Sequence, residues 1–301
     1  MVFNLWDWFA EPFQFSFMQT ALIVSTFVGV VSAVLSCYLI LKGWSLMGDA
    51  LSHAVLPGVV FSYILGLPFA IGSFVSGLLC ALTIGWVKQH SRVKEDTVIG
   101  LVFTAVFALG LILISRTPSD VHLMHFIYGN ALGIEHDDFI QTLVSGAIVL
   151  VVVAILRRDL MLFCFDPNHA RAIGLNTTVL HYLLLALLTL TVVAALQAVG
   201  LILAIAMLIT PGAIGYLLTE RFDRMMLLAV GAAVLSSVIG VYASFYLDAS
   251  TGGCIVATQA MLFFAVMILG PRRGLLGQAL QRRRTRQVIA SNKPIAAYDG
   301  P

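Results

Sequence analysis

Apolar runs of membrane-spanning length, separated by short polar breaks, fill this chain and leave it few folds to adopt. In order they are Phe17–Leu41, Ser45–Leu65, Phe69–Val87, Thr97–Ser115, Phe139–Leu156, Thr178–Ala198, Gly200–Thr219, Met225–Leu247 and Cys254–Leu269. A helix needs about 20 apolar residues to cross a bilayer. Of 301 residues, 60% are hydrophobic and 11% charged, and the mean hydropathy is +0.98. Such a chain lacks the charge to cover the surface of a soluble domain. The expected fold is all-α: a polytopic transmembrane helical bundle of about nine spans, or eight if one short segment is interfacial.

The breaks alternate in charge. Lys42, the run "KQHSRVKED" (Lys88–Asp96), Arg157, Arg158 and Arg171, "ERFDR" (Glu220–Arg224), and Arg272, Arg273 and Arg282–Arg286 follow every other span. The loops between them are poor in base: Gly66–Pro68, Gln197–Gly200 and Asp248–Gly253 carry none, and the long Arg116–Asp138 segment has one Arg against several acids. Basic loops stay in the cytoplasm, so the N-terminus is expected outside and the C-terminus inside. Residues 1–16 form an external N-terminal segment, 17–270 the transmembrane domain, and 271–301 a basic cytoplasmic tail expected to be disordered. The start, "MVFNLWDWFAEPFQF", lacks the basic region of a cleavable signal peptide. The net charge of +2 gives no reason to expect a nucleic-acid partner. Cys37, Cys80 and Cys254 lie in apolar runs, Cys164 lies near a loop, and no CxxC pair exists, so no disulfide framework is expected.

The second span carries Asp49 and His53 where hydrocarbon should exclude them. Four residues apart, they share one helix face, with Cβ atoms about 5–6 Å apart. Carboxylate oxygen and imidazole nitrogen suit a divalent manganese, iron or zinc ion. A cation would also offset the cost of burying the charge. Two plainer readings stand beside this one. The pair can be structural polar glue, or the span can start later and leave Asp49 at the interface. One helix supplies too few ligands for a stable metal site. A homodimer with its two-fold axis along a pore would supply two copies of each, and closed rotational symmetry is the usual state of homo-oligomers.

The segment "LKGWSLMGDALSHAVLPGVV" resembles the membrane subunits of the metal-ion ABC importers, which take up manganese, iron or zinc. So do "KEDTVIGLVFTAVFALGL" (Lys94–Leu111), "FDPNHARAIGLN" (Phe165–Asn176), "LILAIAMLITPGAIGYLLT" (Leu201–Thr219) and, more weakly, "STGGCIVATQAMLFF" (Ser250–Phe264). The ordered set is far more specific than any one block. The resemblance implies a permease subunit in a bacterial cytoplasmic (inner) membrane. Its partners would be a cytoplasmic ATP-binding cassette subunit and an extracytoplasmic metal-binding solute-binding protein. It also implies that Asp49 and His53 coordinate the passing ion. "MGDALSHAVLPG" is closer to manganese and iron members than to zinc members. No cofactor is expected to stay bound; the metal is cargo. In that family a short helix matching residues 165–176 docks into the ATP-binding subunit. Residue types agree: Asp166 can N-cap a helix, Pro167 suits its first turn and Gly174 can end it. Ala170 keeps it slim, and His169 and Arg171 are polar positions for a partner. An ordinary loop helix is the plainer reading of the same residues.

Pro211 removes a backbone hydrogen bond and kinks the seventh span beside Gly212; Pro57 and Gly58 can do the same one turn past His53. Each is a gate hinge or a static kink. His122, His125, Glu135, His136, Asp137 and Asp138 gather on an outer loop, as a metal vestibule, a docking surface or simply a solvated segment. Glu95 and Asp96 read as carboxylates favoured at a helix N-terminus. No "GxxxxGK[ST]" loop is present and Gly-Lys never occurs, so ATP hydrolysis is expected on a separate polypeptide and this chain is not expected to be an enzyme. A zinc permease, a proton- or sodium-coupled secondary metal transporter and an intramembrane Asp/His enzyme remain as alternatives.

Overall fold

The computed structural model describes residues 14–117, 134 and 136–270, and among them every regular element is a helix. The expectations for 1–13, His122, His125, Glu135 and 271–301 fall outside the described residues. Twelve helices are found among the described residues: α1 Ser16–Lys42, α2 Met47–Ala54, α3 Leu56–Leu65, α4 Phe69–His90, α5 Glu95–Arg116, α6 His136–Ile155, α7 Arg157–Phe165, α8 Pro167–Ala172, α9 Thr177–Val199, α10 Leu201–Leu218, α11 Phe222–Leu247 and α12 Thr251–Leu269. Among the described residues eight segments are long and apolar enough to cross a membrane, with α2 and α3 together counting as one; α10 is a shorter apolar helix.

The bundle centres on α1, which packs on α10 and α11, while α12 closes against both of those. Central α9 joins α6 on one side to α4 on the other. Small residues permit the close approaches. A methyl on Gly240 of α11 would lie 2.5 Å from the Ile255 Cα of α12, so those backbones touch. The α1 end is a Schellman cap: Gly43 takes φ 75°, its N–H reaches the Ile40 carbonyl, and Trp44 N–H reaches Leu39.

Two cavities show which helix ends share a face. Lys42, Lys88, Glu95 and Thr177 border one; Ile40, Phe165, Tyr216 and Phe222 border the other. The ends of α1, α4, α7 and α10 and the starts of α5, α9 and α11 therefore meet at one end of the bundle. Gln197 at the far end of α9 meets Gln141 and Asp138 of α6, and Phe15 meets Phe245, at the other. All described Lys and Arg residues except Arg116 lie at or beside the first end. Helix α10 starts near Gly252 at the far end and finishes at the basic end. At 18 residues and about 1.5 Å per residue, it still runs from one end to the other.

Three details depart from the sequence reading. The second span is two helices meeting at Val55. Pro57 has no N–H to give the His53 carbonyl, and Ser76 Oγ donates to the neighbouring Ala54 carbonyl at 2.7 Å. An additional helix, α7, follows the fifth span, with Cys164 buried close to its end; Arg157 bonds Asp223 and ties the start of α7 to that of α11. Glu95 does more than favour a helix terminus. It accepts the Trp44 indole N–H and pairs with Lys88 at 3.4 Å, fastening α5 to the segment before α2 and to α4.

Candidate metal-translocation site

Asp49 lies in the first turn of α2 and His53 one turn later. The N-terminal end of a helix favours a carboxylate, and the i, i+4 spacing brings the two side chains together. His53 Nε2 lies 3.4 Å from Asp49 Oδ1. That is long for a hydrogen bond. It matches the separation of about 3.0–3.4 Å between two donor atoms that each sit about 2.1 Å from one ion. The side chains are 27% and 35% exposed, so the single chain leaves the pair partly uncovered.

Two rings of α5 set the imidazole. Phe103 stacks on it with centroids 6.0 Å apart, and Phe107 meets it edge-on at 4.9 Å. The buried Nδ1 has no hydrogen-bond partner. A ligating histidine ordinarily anchors that second nitrogen to a carbonyl or carboxylate; here aromatic walls take over. Neither phenylalanine was singled out from sequence, because apolar residues in an apolar run carry no signal. Among the described residues no group of three or more His, Cys, Asp or Glu side chains is placed to hold a metal. Asp49 and His53 are therefore a pair rather than a complete ligand set among the described residues.

The proline positions are tightly packed. Ser36 Oγ of α1 donates to the Ile209 carbonyl at 3.1 Å and accepts the Gly212 N–H at 2.9 Å, bridging the backbone on either side of Pro211. A methyl on Gly212 would meet Ser36 Oγ at 2.4 Å. Pro57 lies against Gly110 of α5, and Gly58 against Gly72 of α4.

At the basic end, Asp166 caps α8 by accepting the N–H groups of Asn168 and His169, both at 3.0 Å. Pro167 occupies the first turn. Gly174, at φ 90°, lets the chain turn back, and Leu175 N–H reaches the Ala170 carbonyl. Ala170 is fully buried, so it seats α8 on the bundle. His169, Arg171 and Ile173 are exposed, as are Asn168 and Ala172. Beside α8, between α1, α7, α10 and α11, lies a largely apolar cavity of about 510 Å³. At the far end, Asp138 accepts from Gln197 at 3.4 Å and stands with His136 and Asp137 in the first turn of α6.

The model of the ABC 3 transport family matches residues 14–270. This chain belongs to that family. It is 56% identical over 283 residues to the manganese transport system membrane protein MntB of Synechocystis sp., covering 94% of this chain and 92% of that protein. It is 53% identical over 268 residues to the chelated iron transport system membrane protein YfeD of Yersinia pestis, covering 89% of each. Among solved structures, a chain of PsaBC from Streptococcus pneumoniae in complex with Fab superposes with a TM-score of 0.80 at 40% identity, over 90% of this chain and 98% of that one. As an ABC 3 transport protein the chain is a membrane subunit of an ABC transporter and is not itself catalytic. It is a multi-pass protein of the bacterial inner membrane.

Proposed function

We propose that this chain is the permease subunit of an ABC importer of manganese or iron(II), with Asp49 and His53 as the ion's transient ligands. The observation that carries the reading is the 3.4 Å separation of His53 Nε2 and Asp49 Oδ1, on a pair about one-third exposed at the side of a membrane bundle. Neither lipid nor a lone chain covers such a pair at low cost. A second copy facing it supplies two more ligands and a closed path, so the working unit is a homodimer. Two ligands per chain and an unanchored imidazole suit a site that must release its ion. Names of close relatives support the choice of metal: manganese for MntB, chelated iron for YfeD.

The remaining parts follow from charge and position. End-to-end α10 supports nine spans, with the basic end cytoplasmic and the N-terminus outside. The exposed face of α8 and the adjoining apolar cavity form the docking surface for a separate ATP-binding subunit. Asp166 and Gly174 shape that surface, and Ala170 seats it. A solute-binding protein delivers metal at the far end. Residues 271–301 make a basic cytoplasmic tail. Pro57, Gly58, Pro211 and Gly212 are the positions where packing must change if the path opens.

The test is uptake of manganese, iron(II) and zinc by proteoliposomes holding the permease with its ATP-binding subunit and binding protein. Saturable, ATP-dependent uptake of manganese or iron(II) is expected. Uptake of zinc alone would overturn the metal assignment, and uptake driven by a proton or sodium gradient without ATP would overturn the transporter class.

A further inference from the structure

A second polar feature lies away from Asp49 and His53. At the basic end, a cavity of about 210 Å³ is bordered by Lys42, Lys88, Arg171, Glu95, Trp44 and His181, among others. That is several times the roughly 30 Å³ one water occupies in the liquid. Its charges do not balance. Glu95 is the single carboxylate on its wall and is already committed, to Lys88 at 3.4 Å and to the Trp44 indole. Among the described residues no carboxylate lies within salt-bridge distance of Lys42 or Arg171. Lys42 Nζ reaches only the Phe163 carbonyl at 3.4 Å, with that residue's ring 4.0 Å away. Arg171 reaches only the Thr177 hydroxyl, at 3.3 and 3.4 Å.

The wall is built rather than accidental. Lys42 follows the apolar face of α1 and is held between Phe163 and Trp44. His181 stands edge-on to Trp44 at 5.1 Å. A methyl on Gly85 would come 3.3 Å from its Nε2, so α4 and α9 are close where they flank the space. Thr177 opens α9, whose N-terminal end adds a positive partial charge. A transported cation has no reason to enter a space with this excess of positive charge. An anion with several acceptor oxygens does.

We propose that this cavity binds a phosphate group. A guanidinium and two ammoniums around one open cleft match its oxygens in number and charge. Two sources share that chemistry. One is the headgroup of an acidic phospholipid, abundant where basic pockets between spans meet the inner leaflet; the other is soluble phosphate. Because Arg171 and Pro167 of α8 form part of the wall, an occupied cavity would also hold α8 to the starts of α5 and α9.

The experiment follows the thermal unfolding midpoint of the full-length permease in neutral detergent. Phosphatidylglycerol is titrated in mixed micelles against phosphatidylcholine, and sodium phosphate against sodium chloride at equal ionic strength. A saturable upward shift with phosphatidylglycerol alone assigns a lipid headgroup, and one with phosphate as well assigns a soluble anion. In either case Lys42→Gln and Arg171→Gln should each raise the half-saturating concentration about tenfold. Arg224→Gln, an exposed cation outside the cavity, should leave it unchanged. If Lys42→Gln does not fold, Arg171→Gln decides alone. No shift with either probe overturns the proposal; it is the outcome expected if an acidic side chain of the ATP-binding subunit fills the space. An equal loss in Arg224→Gln also overturns it, since the shift would then reflect general charge attraction.

Discussion

Gly58 of α3 and Gly72 of α4 are in backbone contact: a methyl on Gly58 would lie 2.0 Å from the Gly72 carbonyl oxygen and 2.7 Å from Ser76 Cβ. The contact sits one turn beyond His53 and fixes where the second half of the span lies. Ser62 reinforces it by donating to the Pro68 carbonyl and accepting the Gly72 N–H. Gly58→Ala must push the helices apart and is expected to cost about 1–3 kcal/mol, as overpacking does. Gly100→Ala is the matched control, because nothing lies within 4 Å of its added methyl; it should be neutral or slightly stabilising. Thermal unfolding of the two variants in the same detergent checks the contrast.

Ser36 is the corresponding clamp on α10. Ser36→Ala leaves the Gly212 N–H and the Ile209 carbonyl without the hydroxyl that serves both. Losing two side-chain hydrogen bonds between packed helices costs about 0.5–1.5 kcal/mol each, so the unfolding midpoint should fall. If the packing around Pro211 also changes during transport, ATP hydrolysis per ion delivered should rise in this variant. Unchanged stability would mean that the hydroxyl does not secure α10 to α1.

Much of this architecture was legible because hydrocarbon imposes a simple rule. The helices containing Phe17–Leu41, Thr97–Ser115 and Met225–Leu247 each extend only a few residues past the apolar run. The cap at Asp166 was legible too, since Asp-Pro before a short polar run has a local mechanism. What sequence hid is tertiary. The segment "RRDLMLFCF" mixes charge with apolar residues, so α7 gave no span signal. Pro57 marked a kink, but the loss of helical continuity at Val55 depends on Ser76, 21 residues further on. Glu95 read as a helix-start carboxylate because its partners Trp44 and Lys88 lie on other elements. The inward face of Ala170 could not be known before α8 was seated on the bundle.

That seating redirects the test of ATPase docking. Ala170 is buried, so enlarging it would disturb the bundle before any partner. Ile173 is 57% exposed and lies just past α8. Ile173→Glu should leave membrane insertion and thermal stability unchanged while abolishing co-purification of the ATP-binding subunit. Normal co-purification and uptake would reduce residues 165–176 to an ordinary loop helix.

The proposed topology is open to cysteine labelling. Cys37, Cys80 and Cys164 are buried, and burial pushes the Cys164 thiol up to about 12. At pH 8 a thiol so raised is almost wholly protonated and nearly inert to maleimide, since the thiolate is the nucleophile; its reactivity should rise only as pH climbs towards that value. With Cys254 replaced by Ala, single cysteines at Arg92 and Glu220 should label from the cytoplasmic side and one at Asp248 from outside. Cytoplasmic labelling at Asp248 would contradict the nine-span arrangement.

The central claim rests on the Asp49 carboxylate acting on the ion rather than on the fold. Asp49→Asn keeps the size of the side chain and most of its hydrogen bonding but removes the anion. The variant should insert and dimerise normally, because losing a charge does not hinder a span. The decisive measurement is manganese uptake by proteoliposomes of the complete transporter, normalised to intact dimer, for wild type and Asp49→Asn. A fall of at least about tenfold, equivalent to about 1.4 kcal/mol, with an unchanged amount of dimer is the result expected. Full normalised uptake by Asp49→Asn, or loss of the dimer with uptake per dimer preserved, would contradict the assignment of Asp49 and His53 as ligands of the transported metal.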